Sequence, residues 1–420
     1  MSTSSNQAVP TQPDGGKIAV PLLITLALLS AVAPFATDLY LPAFPEMVSH
    51  FDSSESAVQL SLTAFLIGAG VGQVIFGPLS DRVGRLKPLL VGVILYTLAS
   101  AASALAPTMT FLIVVRLIQG LAGAAGMVIG RAVISDQQQG PAAARAFSVM
   151  MAVGGIAPII APFVGSLLAD PIGWNGLLWI VTGFGVICLV FVLLFVHETR
   201  PKSVIVAARA AAADGPQEST WKQLGSRGYL ANTLAFAFAF STMMAYISAS
   251  PFMFQDLMGL STIAYGIVFG VNALGLLIAT AIGTQLSYKL SVRALFLIGL
   301  AGNLIGILAF TVMVLTGMQS LWLEIPLFIA LGSLGLVLGN ATGLALAHVS
   351  RAASGSGSAL MGLLQFGLAG VVAPLVSPGE SGSLLPLALV MLVASVVANA
   401  AGHLGPRTER SSRRTEVHHA

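Results

Sequence analysis

Charged residues are scarce in this sequence. Only 8% of its 420 residues are Asp, Glu, Lys or Arg, whereas a soluble domain carries about 25%. Hydrophobic residues make up 56% of the chain. A chain with so few charged residues would not be soluble in water at that hydrophobic content. The composition therefore excludes an ordinary soluble domain and indicates an all-α integral membrane protein.

Cysteine, histidine and the usual enzyme motifs are also sparse. The lone Cys188 excludes an intrachain disulfide, and the six histidines fall in loops, at span ends or in the tail, where they form no spaced metal set. The chain contains no His-Glu-x-x-His, no Gly-x-Ser-x-Gly and no Walker loop. A membrane-embedded enzyme is therefore the less favoured class, no cofactor or metal is predicted, and an ion gradient rather than ATP is the expected energy source.

The apolar residues are arranged in runs of the length that crosses a bilayer, which needs about 20 residues per helix. Twelve such spans are predicted, near 18–45, 57–78, 87–106, 109–134, 145–169, 174–196, 229–255, 263–287, 294–316, 321–347, 355–377 and 384–403.

The positive charges give these spans an orientation. Of the nineteen Lys and Arg, all but Arg116 fall on one side of the membrane in this arrangement, which the positive-inside rule identifies as the cytoplasm. The opposite connections carry acids and no Lys or Arg: Glu46, Asp52, Glu55, Asp170, Asp256, Glu324 and Glu380. We therefore expect a multi-pass protein of the cell membrane with both termini cytoplasmic. The net charge of +3 comes from these loops and lacks the clustered basic face of a nucleic-acid-binding protein.

The longest polar interruption divides the chain into two halves of six spans. We predict a disordered cytoplasmic tail at 1–16, a first bundle at 17–196, an interbundle loop at 197–228, a second bundle at 229–403 and a tail at 404–420. Residues 77–82 are weakly repeated at 284–289. Duplicated halves are typical of transporters that rock around a central cavity, although a duplication without rocking would give the same pattern.

Two charged side chains are predicted within the membrane, Asp38 in span 1 and Arg116 in span 4. Counting from Pro45 and Pro107, both lie about 10 to 14 Å below the outer boundary at 1.5 Å per residue. A charge facing lipid would cost about 2.5 to 3.5 kcal/mol, so we expect them to pair or to face a shared cavity. The alternatives are that Asp38 sits at the headgroup boundary and that Arg116 snorkels outward.

One loop carries a specific family motif. Residues 77–87, Gly-Pro-Leu-Ser-Asp-Arg-Val-Gly-Arg-Leu-Lys, resemble the signature loop of the major facilitator superfamily, and the chain over 18–403 resembles the Bcr/CflA group of drug:proton antiporters. The resemblance implies the major facilitator fold, with twelve transmembrane helices in two six-helix bundles around a central cavity. It also implies a conformational latch against the start of span 11 at 354–356, with Asp136 as a further candidate member. The latch residues would be Gly77, Asp81, Arg82, Gly84, Arg85 and Arg131.

Three other stretches carry the same resemblance. Residues 38–42 and 112–120 resemble the span 1 and span 4 motifs of drug exporters, which implies proton coupling by Asp38 and Arg116. Residues 154–166 resemble the antiporter motif of span 5, with Ala161-Pro162 and Gly165-Ser166 departing from the family pattern. The antiporter-motif residues are Gly154, Pro158, Pro162 and Gly165.

The second half is predicted to contain no membrane-buried charge and to offer an apolar pocket with few hydrogen-bonding groups. The predicted substrate contacts are Tyr40, Gln119, Tyr246, Ser250, Phe252, Asn272 and Gln365. Asn272 and Asn340 are equally typical of interhelical hydrogen bonds.

These observations predict a secondary active exporter that exchanges external protons for a bulky neutral or amphipathic drug, with Asp38 carrying the proton and Arg116 tuning it. A single chain encloses a complete path, so a functional monomer is expected. A proton-coupled importer or passive facilitator on the same fold remains the alternative, and the sequence does not identify the drug.

Overall fold

The computed structural model describes residues 18–138, 140–201, 203, 205–206, 220–350, 353–377 and 382–405. The tail predicted at 1–16, residues 202, 204 and 207–219 of the interbundle loop and nearly all of the tail at 404–420 lie outside these ranges. All regular structure in the described ranges is helical.

Six α-helices form the first half. They are α1 Val20–Asp38, α2 Phe44–His50, α3 Glu55–Val83, α4 Leu86–Ala104, α5 Met109–Gln137 and α6 Gly140–Phe195. A 3₁₀ turn at Leu41–Ala43 joins α1 to α2.

Seven α-helices belong to the second half and its approach. They are α7 Thr220–Leu224, α8 Arg227–Pro251, α9 Thr262–Leu286, α10 Val292–Leu315, α11 Glu324–Leu346, α12 Ser354–Val372 and α13 Leu385–Leu404. A π-helical segment, Phe252–Leu257, extends α8, while 3₁₀ turns lie at Leu321–Leu323 before α11 and at Ala373–Val376 after α12.

The long helix α6 contains two membrane crossings. Its 56 residues correspond to about 84 Å at 1.5 Å per residue, far more than a bilayer core of about 30 Å. The helix is broken at Gly173, whose φ of 67° lies in the left-handed region that favours glycine. The Glu46 carboxylate accepts a hydrogen bond from the backbone N–H of Trp174 at 3.1 Å, at the start of the second segment.

Eleven helices in the described ranges are long and apolar enough to cross a membrane. Because α6 crosses twice, they correspond to twelve crossings and confirm the predicted count. Hydroxyl side chains mark where many of these helices begin, since each accepts a hydrogen bond from an otherwise unpaired N–H of the first turn. These N-caps are Ser54, Thr108, Ser226, Ser261 and Ser291.

The two halves meet along two seams, α3 against α12 and α6 against α9. Glycines allow the close approach at both. Gly70 of α3 faces Leu363 and Phe366 of α12, and Gly266 of α9 faces Ser166 of α6 so closely that a Cβ at position 266 would overlap its side chain. Small residues at helix contacts are typical of membrane proteins.

The halves are joined at one membrane face and separate at the other. We call the face that carries Glu46, Glu55, Asp170 and Asp256 the acidic face, and the face that carries Arg82, Arg85, Arg227 and Arg293 the basic face. Between described residues, every side-chain hydrogen bond linking the halves lies at the acidic face. These bonds are Gln59 to the Ser248 carbonyl at 3.1 Å, Gln255 to the Pro42 carbonyl at 3.0 Å, Thr262 to Asp170 at 3.0 Å and Ser377 to Glu55 at 2.6 Å.

At the basic face no side-chain hydrogen bond joins the halves between described residues, and the position that a Cβ would take at Gly355, at the start of α12, has open space beside it. The side-chain hydrogen bonds therefore hold the halves together near Asp38 and not at the Arg85 end of the molecule.

Candidate functional site

Asp38 is the last residue of α1 and is buried, with 3% of its surface exposed. The neighbouring Thr37 hydroxyl donates a hydrogen bond to Oδ1 at 2.7 Å. In the described part of the chain no Lys, Arg or His forms an ion pair with this carboxyl. Asp38 is therefore enclosed by protein and faces neither solvent nor lipid.

The antiporter motif packs directly against the chain that follows Asp38. A Cβ at Gly165 of α6 would overlap the carbonyl oxygen of Leu39 and approach the ring of Pro42. Only glycine allows this backbone contact. The structure thus brings the span 5 motif and the span 1 acid together, which sequence spacing alone does not reveal.

The two prolines of that motif occupy the same helix. Pro158 and Pro162 lie inside α6, where each removes one backbone donor. The Ser166 hydroxyl donates to the Pro162 carbonyl at 2.8 Å. Gly154, at the other end of the motif, lies at ordinary contact distance from Ser30 of α1.

Arg116 is fully buried in the first half, which rules out snorkelling. Its Nη1 donates to Gln119 Oε1 at 2.7 Å and its Nη2 to the Tyr40 hydroxyl at 3.2 Å. The guanidinium carbon also lies 4.6 Å from the ring centroids of Tyr40 and Phe65. Hydrogen bonds and aromatic faces therefore offset the desolvation of this cation.

Arg116 and Asp38, which were expected to pair or to face a shared cavity, form no ion pair among the described residues. The guanidinium points toward α3 and α4, and its neighbours extend the network away from Asp38. Gln119 donates to the Ser100 hydroxyl at 2.6 Å, and the Tyr40 hydroxyl hydrogen-bonds with Ser61 at 3.0 Å. Arg116 reaches the acid only indirectly, by holding Tyr40, two residues farther along the chain.

The residues predicted to contact substrate in the second half are buried near the acidic face. Asn272 Nδ2 donates to the Tyr246 hydroxyl at 2.7 Å, and the Ser250 hydroxyl hydrogen-bonds with Tyr265 at 3.2 Å. Phe252 is fully buried, with its ring centroid 5.9 Å from that of Phe44 in the first half.

Gln365 is half-buried on α12, whereas Tyr40 and Gln119 lie inside the Arg116 network. In this conformation the seven side chains do not form a single open pocket. Their contact with substrate stays a prediction.

The second half contains an acid whose carboxylate oxygens are enclosed by protein at the start of a candidate membrane span, a feature that the prediction for this half did not include. Glu324, expected in a loop, is the first residue of α11, and both of its carboxylate oxygens are inaccessible and without a hydrogen-bond partner in the described ranges. The sequence signal was an acid inside the apolar run at 321–331. Tyr265, which hydrogen-bonds with Ser250, was also missed.

At the basic face, Arg85 organises the signature loop. Its Nε donates to Asp136 at 2.8 Å and its Nη1 to Ser80 at 2.8 Å, and it pairs with Asp81 at 2.9 Å. Burial lowers the pKa of the Arg85 guanidinium, but the hydrogen bond and charge of Asp136 and the charge of Asp81 outweigh it, so the pKa is raised overall. Arg85 is therefore charged at any physiological pH.

Two residues missed by the motif complete this cluster. Arg200 donates to Asp81 at 2.6 Å, and the Glu198 carboxylate accepts from the backbone N–H groups of Arg85 at 2.8 Å and Leu86 at 3.2 Å, capping α4. Gly84 makes room for Glu198 with a φ of 99°. The sequence feature that could have indicated these two residues is the acidic and basic pair, Glu198 and Arg200, directly after span 6.

The other predicted latch residues lie around this cluster without joining α12. Arg82 and Arg131 are exposed, and a Cβ at Gly77 would meet only Val128 of α5. Asp81 pairs within its own half, while Gly355 at the start of α12 has open space beside it. A latch between Asp81 and α12 is not formed in this conformation.

Known proteins resemble the chain along most of its length. Residues 26–374 match the family described as Major Facilitator Superfamily. An uncharacterized transporter of this type, YdgK from Bacillus subtilis, is 32% identical over 389 residues, covering 92% of this chain and 95% of that protein. A bicyclomycin resistance protein homolog from Haemophilus influenzae is 26% identical over 382 residues, covering 90% and 94%.

A solved structure shares the fold. The crystal structure of a bacterial homolog to the human lysosomal transporter Spinster, in an inward-facing and unoccupied conformation, superposes with a TM-score of 0.71 at 16% identity, covering 91% of this chain and 95% of that one. Together with the twelve crossings, these matches identify a membrane transport protein rather than an enzyme. The chain belongs to the major facilitator superfamily.

Proposed function

We propose that this transporter is a proton-coupled exporter of bulky neutral or amphipathic drugs and works as a monomer in the cell membrane with both termini cytoplasmic. The observation that carries the proposal is Asp38, a buried carboxyl with no ion-pair partner in the described part of the chain. An ionised carboxylate in such a place is unfavourable by about 2.5 to 3.5 kcal/mol. Binding a proton removes that penalty, so the acid is suited to carry one.

The joined acidic face supports a route for the proton. In the proposed orientation this face is external, and the conformation is inward-facing. The bond between Gln255 and the Pro42 carbonyl, four residues from Asp38, must break when the halves separate outside. Asp38 then meets external water and takes up a proton, and closure buries it in the neutral form.

Arg116 contributes by position rather than by pairing. Its bond to Tyr40 fixes the turn that follows Asp38, and Gly165 holds α6 against the same turn. Movement of α5 or α6 during transport therefore displaces the backbone at Asp38. This coupling between helix motion and a proton site is what an antiporter requires.

The basic-face cluster supports a latch for the opposite state. When the cytoplasmic ends close, the start of α12 approaches Asp81, whose carboxylate is half-exposed. A helix N-terminus attracts a carboxylate, so Asp81 exchanges Arg200 for α12. The pair with Arg85, which is anchored by Asp136, keeps Asp81 in place during the exchange.

The class of substrate is supported by the relative named for bicyclomycin resistance and by the aromatic residues near Tyr246 and Phe252. The alternative is proton-coupled import or facilitated diffusion of a small metabolite on the same fold. An exporter and an importer differ in the direction of the proton gradient that drives accumulation.

Everted membrane vesicles test the proposal directly. Drug uptake into vesicles with an acidic interior should be driven by the gradient, and Asp38→Asn should abolish that coupling while drug binding persists. Asp52→Asn, an exposed acid on the same face, is the matched control and should leave coupled uptake unchanged. Full coupled uptake by Asp38→Asn would show that another group carries the proton.

A further inference from the structure

The carboxyl group of Glu324 lies in an unusual environment. Both of its oxygens are buried, and no described residue donates a hydrogen bond to either. Asn272 lies beside it on α9 and is itself 97% buried, with 3% of its surface exposed. The Asn272 amide donates to Tyr246, but its carbonyl oxygen Oδ1 also has no donor within the described ranges.

Helix packing holds these groups together. α9 and α11 run side by side in the same direction across the membrane, and Gly275 of α9 receives the ring of Phe328 of α11 in close contact. Asn272 and Glu324 lie one turn earlier on the same two helices, about 5 Å along the axis. The contact is therefore part of a continuous interface and not an isolated approach.

No described Lys, Arg or His forms an ion pair with this carboxyl. The titratable groups near it on the packed helices are Tyr246 on α8 and Tyr265 on α9, and Asp38 is the acid that lies near Tyr265. The described basic residues of these helices lie at their opposite ends: Arg227, Lys289 and Arg293. An ionised Glu324 would thus be a buried charge without donor or counter-ion, which is strongly unfavourable.

Binding one proton to Glu324 removes the buried charge and also supplies a hydrogen-bond donor. A neutral Glu324 carries no charge to desolvate, and its O–H can donate to Asn272 Oδ1, the second acceptor that lacks a partner. We propose that Glu324 is a second proton-binding residue of the transporter, protonated in this conformation and linked through Asn272 to Tyr246. The carboxylate takes one proton from water at the acidic face when that face opens and returns it as one proton on the other side.

The protonated state of Glu324 is inferred from the packing around its carboxyl group. The role of that proton in transport rests on the proposed function. With Asp38 in the first half and Glu324 in the second, each half carries one proton site. We therefore expect two protons per drug molecule in the wild type. A neutral drug would then move in exchange for two positive charges.

Infrared difference spectroscopy of the purified full-length protein at neutral pH tests the protonation state. The carboxylic C=O absorption of Glu324 should be lost in Glu324→Gln and shifted to higher frequency in Asn272→Ala, which removes its acceptor. Asp256→Asn, an exposed acid of the same face, should leave the band unchanged. An unaltered carboxylic band in Glu324→Gln would mean that Glu324 is ionised and would overturn the proposal; an unshifted band in Asn272→Ala would overturn the link to Asn272.

Transport stoichiometry separates this inference from the proposed function. In vesicles, Glu324→Gln should lower the ratio of protons to drug by one and preserve exchange, and an unchanged ratio would exclude a coupling role. Coupled exchange in Asp38→Asn would refute the role of Asp38 without affecting the infrared result on Glu324. If Glu324→Gln does not fold, the shift in Asn272→Ala still decides the protonation state.

Discussion

The buried polar groups of the two halves are satisfied in different ways. In the first half, Arg116 is surrounded by Gln119, Tyr40 and the ring of Phe65, so its charge is distributed over a connected network. In the second half, Glu324 and the neighbouring Asn272 each carry buried acceptor oxygens that have no donor among the described residues. A network built on a cation keeps one charge state, whereas a group of acceptors requires a proton. The first arrangement is suited to holding structure and the second to changing protonation.

The largest change in stability is expected from removing the buried cation of the first half, Arg116. Arg116→Met should lower the free energy of unfolding by about 3 kcal/mol or more, because it leaves the buried Gln119 Oε1 without its donor, at about 1 to 3 kcal/mol, and removes the charged hydrogen bond to Tyr40, worth about 1.5 to 3 kcal/mol. Thermal unfolding of the purified protein measures this loss.

Arg131→Ala is the matched control for that change. Arg131 is on the same helix but exposed, and exposed substitutions usually change stability by less than about 0.5 kcal/mol. Equal stability of the Arg116→Met variant and the wild type would mean that the network does not support the first half.

A smaller loss of stability is expected from adding a side chain at the close contact between α6 and the end of α1. Gly165→Ala places a Cβ on the Leu39 carbonyl, and such overpacking costs about 1 to 3 kcal/mol. Because the displaced backbone adjoins Asp38, proton-coupled uptake should fall more than the amount of folded protein does.

Gly154→Ala tests the same motif without the clash. The nearest atom to its Cβ is Ser30 Oγ at 3.5 Å, an ordinary contact, so folding and coupled uptake should be close to wild type. If both alanine variants behave alike, contact with Leu39 is not what the motif provides.

The smallest effect is expected at the cap of α4. Glu198→Ala removes the acceptor for the N–H groups of Arg85 and Leu86, and loss of a helix cap costs about 1 kcal/mol. Hydrogen exchange should rise at those two amides. The exposed Asp52 provides the control, since Asp52→Asn removes an acid without removing a cap, and asparagine tolerates the positive φ of this residue. Unchanged exchange in Glu198→Ala would show that water replaces the carboxylate at no cost.

The sequence predicted the parts of this molecule that depend on local composition. Apolar length gave the twelve crossings, and Gln119, three positions after Arg116 on the same helix, is found hydrogen-bonded to it as i,i+3 neighbours can be. The predicted depth in the membrane did not determine which side chains interact. Asp38 and Arg116 were expected to pair or to share a cavity because they lie at similar depths, but the side-chain direction of Arg116 is set by its contacts with α3 and α4.

The environment of Glu324 was also not predictable from the local sequence; here a contact was missed, whereas for Asp38 and Arg116 one was expected that is not formed. An acid at the edge of an apolar run is usually in a loop, and its burial depends on contact with Asn272, 52 positions earlier in the chain. Likewise, the cap from Glu198 to α4 joins segments more than 100 residues apart. Contacts of this kind follow from how helices associate, which single-sequence patterns do not encode.

The four hydrogen bonds that join the halves at the acidic face have an energetic consequence. A net value of about 0.5 to 1.5 kcal/mol for each bond gives about 2 to 6 kcal/mol in favour of the joined form. A ligand that bound only the opposite form would contribute about 2.7 kcal/mol at 100 times its dissociation constant and about 4.1 kcal/mol at 1,000 times. The two populations are thus separated by an energy of the size that occupancy by one small molecule supplies, as a cycling carrier requires.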